Sequence, residues 1–268
     1  MPIGSDFSLI SNNKISKILY EIFGTLDLHS HIRLKPVHKY FKNYIIPAYS
    51  SGNKLKILEI GCGDGMNVFE INRILQKKNI DYDYVAIDLS ATSISNAKKI
   101  LIKKDNISNI NFFQDNAINF LKNYKGSSFD IILMTDVIEH IENRELLLKL
   151  ACNILKTGGL FVISVPTPLY PKIFGRKFST KIGHLIDGFY LPQLDDLFIP
   201  VNCSRILYKY NTGVFSNIGC WLFYNKLNFN NKYLNILKCL LLYPFRFFDF
   251  WNNSKISCSL FAVYKNEK

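Results

Sequence analysis

An α/β fold is predicted, a Rossmann-like, doubly wound and mostly parallel sheet, and three observations predict it. Short apolar runs alternate with amphipathic stretches from Leu55 to Val165. The first run ends in a glycine-rich turn, Gly61-Cys-Gly-Asp-Gly65. The second ends on an acidic residue, Asp88, 23 positions beyond Gly65, a spacing typical of Rossmann-like folds.

The apolar runs are Leu55–Ile60, Tyr84–Ile87, Ile110–Phe113, Phe129–Met134 and Leu160–Val165. Continuous apolar runs suit strands covered on both faces. Helical patterns lie between them at Asn67–Lys77, Thr92–Lys104, Ala117–Asn123 and Arg144–Leu155. Residues Asn13 to Tyr49 read as mainly helical, with a break near Pro36 and a stop at Pro47, because proline lacks the amide a helix interior needs. After Val165 the rhythm breaks. Pro166–Lys181 reads as a long loop or lid and Tyr190–Leu197 as a short helix. Cys203–Tyr210 and Ser257–Tyr264 alternate and read as two late antiparallel strands. An aromatic-rich insertion, Asn211 to Asn253, separates them, where a plain hairpin needs only a few residues. The expected organisation is an N-terminal helical cap over residues 1–54 and a main domain over 55–268. Within the latter, 166–200 forms a substrate lid and 211–253 an insertion.

The 268 residues suit one elaborated domain. Met1 to Tyr20 has no continuous apolar segment of the signal-peptide kind. Tyr233 to Trp251 is the best candidate span, but Lys238, Pro244, Arg246 and Asp249 interrupt it. Six scattered cysteines with no C-x-x-C pair suggest a reducing cytosol rather than a disulfide frame or a zinc site. The expected location is therefore cytoplasmic, extending to the inner face of a membrane. The net charge of +12 resides in the flanks: Leu55 to Leu169 carries 13 basic and 13 acidic residues. Basic flanks suit a phosphorylated substrate, an anionic lipid or nucleic acid, or are simply solvated lysines. No recognisable RNA module accompanies them, and no nucleic-acid partner is expected.

The strongest motif is Leu55-Lys-Ile-Leu-Glu-Ile-Gly-Cys-Gly-Asp-Gly65. A strand runs into a turn whose missing Cβ atoms let a ligand approach the backbone, and the next helix offers free N–H groups. The motif with its strand context resembles the class I S-adenosylmethionine-dependent methyltransferases, well over about Lys54 to Val165 and loosely in the flanks. It is loosely similar to bacterial glycan-pathway and ubiquinone-pathway O-methyltransferases. The resemblance implies that Glu59, Gly61 and Gly63 line the methionine part of the cofactor. It implies that Asp88 takes both ribose hydroxyls and Leu89 lies along the adenine. Asp115 would take the adenine amino group, with Asn116 close by, and Thr135 would border the transferred methyl. A dehydrogenase would show G-x-G-x-x-G, and position 66 is Met.

Thr135-Asp-Val-Ile-Glu-His140 falls where the fourth strand ends. His140 is a candidate general base, since imidazole titrates near neutrality. The alternative is that Glu139 and His140 only fix the loop. Ubiquinone-pathway and small-RNA methyltransferases carry E-x-x-E-H here, and that resemblance implies a divalent ion, Mg²⁺, held by Asp136, Glu139 and His140. His184, in the expected lid, is a second candidate base or substrate ligand. In Leu28-His-Ser-His-Ile-Arg-Leu-Lys-Pro-Val-His38, His29 and Arg33 share a helix face. Arg33 could hold the cofactor carboxylate or a substrate phosphate through its planar fork.

The acceptor is expected to be a small molecule. The loose glycan resemblance implies O-methylation of a sugar, sugar phosphate or related surface-polysaccharide precursor, in phosphorylated or lipid-linked form among the options. The alternatives are a quinone-like or lipid small molecule, or a non-catalytic cofactor-binding subunit. Residues 233–251 read as a basic, apolar segment that touches a membrane, walls an apolar pocket or completes the core. Lys232, Lys238 and Arg246 flank it as an anionic lipid contact would require. The sequence does not fix the oligomeric state.

Overall fold

Four of the five apolar runs become inner strands of one sheet whose two faces are covered there, and the run Ile110–Phe113 becomes an edge strand. The computed structural model describes residues 28–49, 52–102, 108–226, 232–249 and 252–268. Five parallel strands lead: β1 (Leu55–Ile60), β2 (Tyr82–Asp88), β3 (Ile110–Gln114), β4 (Phe129–Thr135) and β5 (Leu155–Pro166). The late strands β6 (Cys203–Tyr210) and β7 (Ser259–Asn266) follow, and the sheet order is β3-β2-β1-β4-β5-β7-β6. β7 runs antiparallel to both β5 and β6, so the expected late antiparallel pair is present.

Helix α1 (Leu28–Tyr40) continues through a wider turn, Phe41–Ile45, into Ile46–Tyr49. Then come α2 (Met66–Lys77), α3 (Ala91–Ile102), α4 (Ala117–Asn123) and α5 (Arg144–Asn153). One face of the sheet packs Leu55, Ile57, Ile131, Leu133, Phe261 and Val263 against Leu34, Val37 and Phe41 of the N-terminal helix and Val68, Ile71 and Leu75 of α2. The other packs Leu58, Ile132, Phe161 and Ala262 against Leu147, Leu148 and Ala151 of α5 and Phe198. Strand order reverses between β1 and β4, and a crevice opens at the carboxyl ends of such strands.

Several local expectations are corrected. Pro36 lies inside α1 and does not break it. Its missing N–H costs one helical bond, but Leu34, Val37 and Tyr40 are buried on the sheet and hold the helix. Pro47 lies within Ile46–Tyr49, after the Ile46 amide has already reached back five residues to the Phe41 carbonyl. The N-terminal part of the expected helix, residues 13–27, lies outside the described residues, as do Lys103 and Lys104 beyond α3. β5 starts at Leu155, five residues early, because Leu155 pairs with Phe129 across a bulge.

The segment expected as a loop carries two short helices, α6 (Tyr170–Phe174) and α7 (Arg176–Lys181), followed by α8 (Leu191–Phe198). The insertion is helical: α9 (Val214–Trp221), α10 (Lys232–Leu242) and a short 3₁₀ turn, Tyr243–Phe247. α9 packs beside α6 and α1, and Leu28, Ile32, Tyr170, Phe174 and Cys220 form a small core where the three meet. Among the described residues no helix is long and apolar enough to cross a membrane.

Candidate active site

The cleft forms where β1, β2 and β4 end, and the turn after β1 sets its shape. Gly61 has φ +74°, and a Cβ there would stand 2.2 Å from Cγ2 of Val137. No larger residue fits, so β1 can pass close under the loop after β4. Gly63 has φ +53°, but a Cβ there would meet nothing within 4 Å. Its backbone faces the cleft rather than the core. The result is a cleft of about 730 Å³ lined by Arg33, Glu59, Gly61, Gly63, Asp88, Leu89, Asp115, Asn116, Thr135, Asp136, His140 and His184. This volume falls in the usual range for ligand sites.

At one end stands Asp88. Its two carboxylate oxygens accept from the amides of Gly63 and Ser90, each at 2.8 Å. The carboxylate is thereby fixed at the mouth with lone pairs left for a diol. The amide of Asp115 donates to the Asp88 carbonyl at 3.1 Å, which sets the two acidic residues side by side. Asn116 also lines the cleft, but its side-chain oxygen caps α4 by accepting from Ile118 and Asn119. Leu89 is 69 % exposed at the rim, an apolar surface for a planar ring.

Beneath the turn lies a polar network that sequence reading missed. Glu59 is buried; it accepts from Asn67 Nδ2 at 3.0 Å and from the Tyr84 hydroxyl at 2.7 Å. Asn67 also donates to the Thr135 hydroxyl at 3.2 Å. Its oxygen pairs with His38 Nε2 at 3.0 Å, which makes that ring nitrogen the donor. Tyr84 pairs in register with Ile57, two residues from Glu59 on the same sheet face, so only the strand register reveals its contact. Burial outweighs both donors and pushes the Glu59 carboxyl up to about 8. Burial likewise pulls His38 down to about 4. A carboxylate desolvated at the cleft wall favours a cationic group on a ligand.

Arg33 reaches the cleft from α1, but its charge is taken: Nη1 meets Asp136 Oδ2 at 2.6 Å, with both side chains nearly buried. A cofactor carboxylate or substrate phosphate would therefore share the guanidinium with Asp136. Asp136 itself has φ +51°, a conformation costing on the order of 1–3 kcal/mol in a residue with a side chain. Its amide donates to the Ser164 carbonyl at 2.9 Å, and the ion pair holds the other end.

The expected metal set does not assemble as written. Asp136 is committed to Arg33, whereas Glu139, His140 and His184 bring ligand atoms within 4.8 Å of one another. Glu139 is fully buried behind the two rings, and burial pushes its carboxyl well above the ordinary range. His140 lines the cleft, and its Nδ1 donates to the Gly183 carbonyl at 3.0 Å. His184 pairs through Nδ1 with the Ser179 hydroxyl at 3.2 Å. Burial, then the neighbouring His140, pull His184 down to about 4. A ring so weakly basic is a poor proton acceptor at neutral pH, which leaves His140 as the better candidate base. Residues 183–185 are stitched to the turn after β4, since the Leu185 amide also donates to the Glu139 carbonyl at 3.0 Å. His29 was paired with Arg33 in the sequence; its side chain lies outside those described.

Two outcomes are expected. Asp88→Ala should weaken S-adenosylhomocysteine, measured by titration calorimetry, by about 1.5–3 kcal/mol, the worth of hydrogen bonds to a charged group. The second concerns pH. A carboxyl raised in the fold contributes stability that is fully present below its unfolded value of 4.5 and lost as pH rises through about 8. His38 and His184, lowered from 6.5 to about 4, act with opposite sign, and that change is largely complete above pH 6.5. Between pH 6.5 and 8 the ligand-free protein should lose stability in chemical denaturation. Glu59→Gln should flatten that slope by up to one proton, roughly 1.4 kcal/mol per pH unit.

Comparisons with known proteins agree with this geometry. A methyltransferase domain family matches residues 51–185, half of the chain. The ubiquinone/menaquinone biosynthesis C-methyltransferase of Wigglesworthia glossinidia brevipalpis is 23% identical over 209 residues, covering 76% of this chain and 78% of that one. The mitochondrial ubiquinone biosynthesis O-methyltransferase of Dictyostelium discoideum is 26% identical, covering 66% of this chain and 58% of that one. The chain thus spans little more than half the length of that relative. Among solved structures, the plantazolicin methyltransferase BamL, in complex with a triazolic desmethylPZN analog and S-adenosylhomocysteine, superposes with TM-score 0.57 at 16% identity. The superposition covers 98% of this chain and 95% of that one and shows a shared fold. With the glycine turn, Asp88 and the buried Glu59 gathered on one cleft, the chain belongs to this methyltransferase domain family and uses S-adenosylmethionine.

Proposed function

We propose that the protein methylates a quinone-like or lipid small molecule. The curated relatives favour this acceptor class over the sugar expected from the sequence, since the two described above act in ubiquinone or menaquinone biosynthesis by their names. One observation on the chain itself carries the reading. The insertion presents two apolar stripes to solvent. Val214, Ile218 and Trp221 follow helical spacing on α9; Leu234, Leu237 and Leu241 do so on α10. Each is between 39 % and 65 % exposed. Exposed apolar patches mark binding surfaces, and stripes of this kind suit a helix lying in a membrane interface. α9 adjoins α6, whose Tyr170 lines the cleft. A membrane-borne acceptor would therefore have a short route to it, from the cytoplasmic face.

Electrostatic attraction to anionic lipid is a smaller part of this proposal than the sequence implied. Lys238 is buried, with Nζ 3.6 Å from the centre of the Phe223 ring. The side chains of Lys232 and Arg246 lie outside those described.

S-adenosylmethionine, when bound, supplies an electrophilic methyl group on a sulfonium. The protein's own work is positioning and exclusion of water. Asp88 and Asp115 would hold the nucleoside end, and the Glu59–Asn67–Thr135 network would hold the opposite end of the cofactor. Tyr170, His140 and His184 would wall the acceptor. His140, its Nδ1 proton held by the Gly183 carbonyl, presents Nε2 for a proton from an acceptor hydroxyl.

S-adenosylhomocysteine release should rise with a hydroxylated benzoquinol bearing a prenyl tail and stay at background with nucleotide sugars. The protein should float with liposomes, and Leu241→Asp should abolish flotation while the fold persists. Turnover of a nucleotide sugar with none of the quinol would reverse the assignment of the acceptor. Wild type left in the pellet would remove the membrane contact.

A further inference from the structure

We propose that His38 is a positioning residue for the cofactor: acting through Asn67, it holds the Glu59 carboxylate toward the ammonium group at the cofactor's amino-acid end. The inference rests on the placement given above, with the nucleoside at Asp88 and the amino-acid end at Glu59.

His38 lies on α1, and Asn67 is the second residue of α2. Glu59, Asn67 and Thr135 line the cleft, and His38 stands behind them. Any effect of His38 on a ligand therefore passes through Asn67. The Asn67 side chain is fully committed. Its Nδ2 donates to Glu59 Oε1 at 3.0 Å and to Thr135 Oγ1 at 3.2 Å. Its Oδ1 accepts from His38 Nε2 at 3.0 Å. A side-chain amide has two N–H donors, so both are spent on the cleft side and the oxygen on the helix side.

That orientation sets what Glu59 can do. Glu59 is buried, and an ionised carboxylate only accepts. A reversed Asn67 amide would turn its oxygen against that carboxylate. Burial, aided by Lys42 and Arg73 and opposed by the bond to Asn67, pulls His38 down to about 4. The ring is neutral near pH 7, and the Asn67 oxygen fixes its one N–H on Nε2. The Tyr84 hydroxyl donates to Glu59 Oε2 at 2.7 Å. With Asn67 on one oxygen and Tyr84 on the other, the carboxylate plane is fixed, and each oxygen keeps a lone pair for an ammonium donor. Without the His38 N–H, the Asn67 oxygen becomes a buried acceptor with no donor, which is costly. Turning the amide relieves that cost but removes a donor from Glu59.

The test compares two ligands by titration calorimetry on the full chain. S-adenosylhomocysteine carries the ammonium group; 5′-methylthioadenosine keeps the nucleoside and lacks the amino-acid end. His38→Leu, which keeps the volume and removes the donor, should weaken S-adenosylhomocysteine about tenfold, the effect of one buried unpaired acceptor. His38→Ala should weaken it about threefold or more, since a water can donate only in part. Neither should move 5′-methylthioadenosine by more than about twofold. His38→Gln, whose amide N–H can stand where Nε2 stood, should restore S-adenosylhomocysteine affinity. In a Glu59→Gln background His38→Leu should add no further loss, because the two residues act as one unit. Asp88→Ala should weaken both ligands, so a fault in the placement of the nucleoside shows there and a fault in this inference shows at His38. Equal weakening of both ligands by the His38 variants would make the residue merely structural and overturn the proposal. So would wild-type affinity for S-adenosylhomocysteine in folded His38→Leu or His38→Ala, or an undiminished His38→Leu effect in the Glu59→Gln background.

Discussion

Arg33 on α1 and Asp136 just past β4 meet at 2.6 Å across 103 residues of chain. The pair joins the first described helix to the strand whose end forms the cleft floor. Neither charge is affordable there alone, since removing one partner of a buried pair leaves the other uncompensated. The pair also holds Asp136 in a left-handed conformation. That conformation turns the chain so that Val137 passes over Gly61 and Glu139, His140 and the lid segment converge. Cleft roof, cleft floor and histidine cluster thus share one electrostatic anchor.

Much of this was legible in the sequence because strands buried on both faces are written as continuous apolar runs. Leu55–Ile60 is observed at the expected bounds, and so is Cys203–Tyr210, which was legible instead by its alternation as a half-covered edge strand. The glycine turn and Asp88 were legible for a different reason: they are backbone and spacing requirements, and spacing survives in one dimension. Proline misled at positions 36 and 47, because burial of Val37, Tyr40 and Phe41 overrode a local preference. The segment 166–181, expected as a long loop or lid, took helical form because α6 and α9 bury their apolar sides on each other and on α1.

The polar contacts were less legible, and for a common reason. Tyr84 to Glu59, His38 to Asn67 and Arg33 to Asp136 each cross between elements. Residue type marked Glu59, Arg33 and Asp136 as candidates; partner identity required the register of β1 against β2 and the seat of α1 on the sheet. His184 is the clearest case. Its sequence position suggested a base, but burial beside His140 makes it a weak one.

The closure of the cleft by α1 is what the cofactor site most depends on, and hydrogen exchange reads it directly. On adding S-adenosylhomocysteine, amides of the turn 61–67 and amides of residues 30–40 should slow together, because both border the same ligand and Arg33 links them to Asp136. Protection confined to the turn, with residues 30–40 exchanging as in the ligand-free protein, would contradict the role of α1 as the roof of the site.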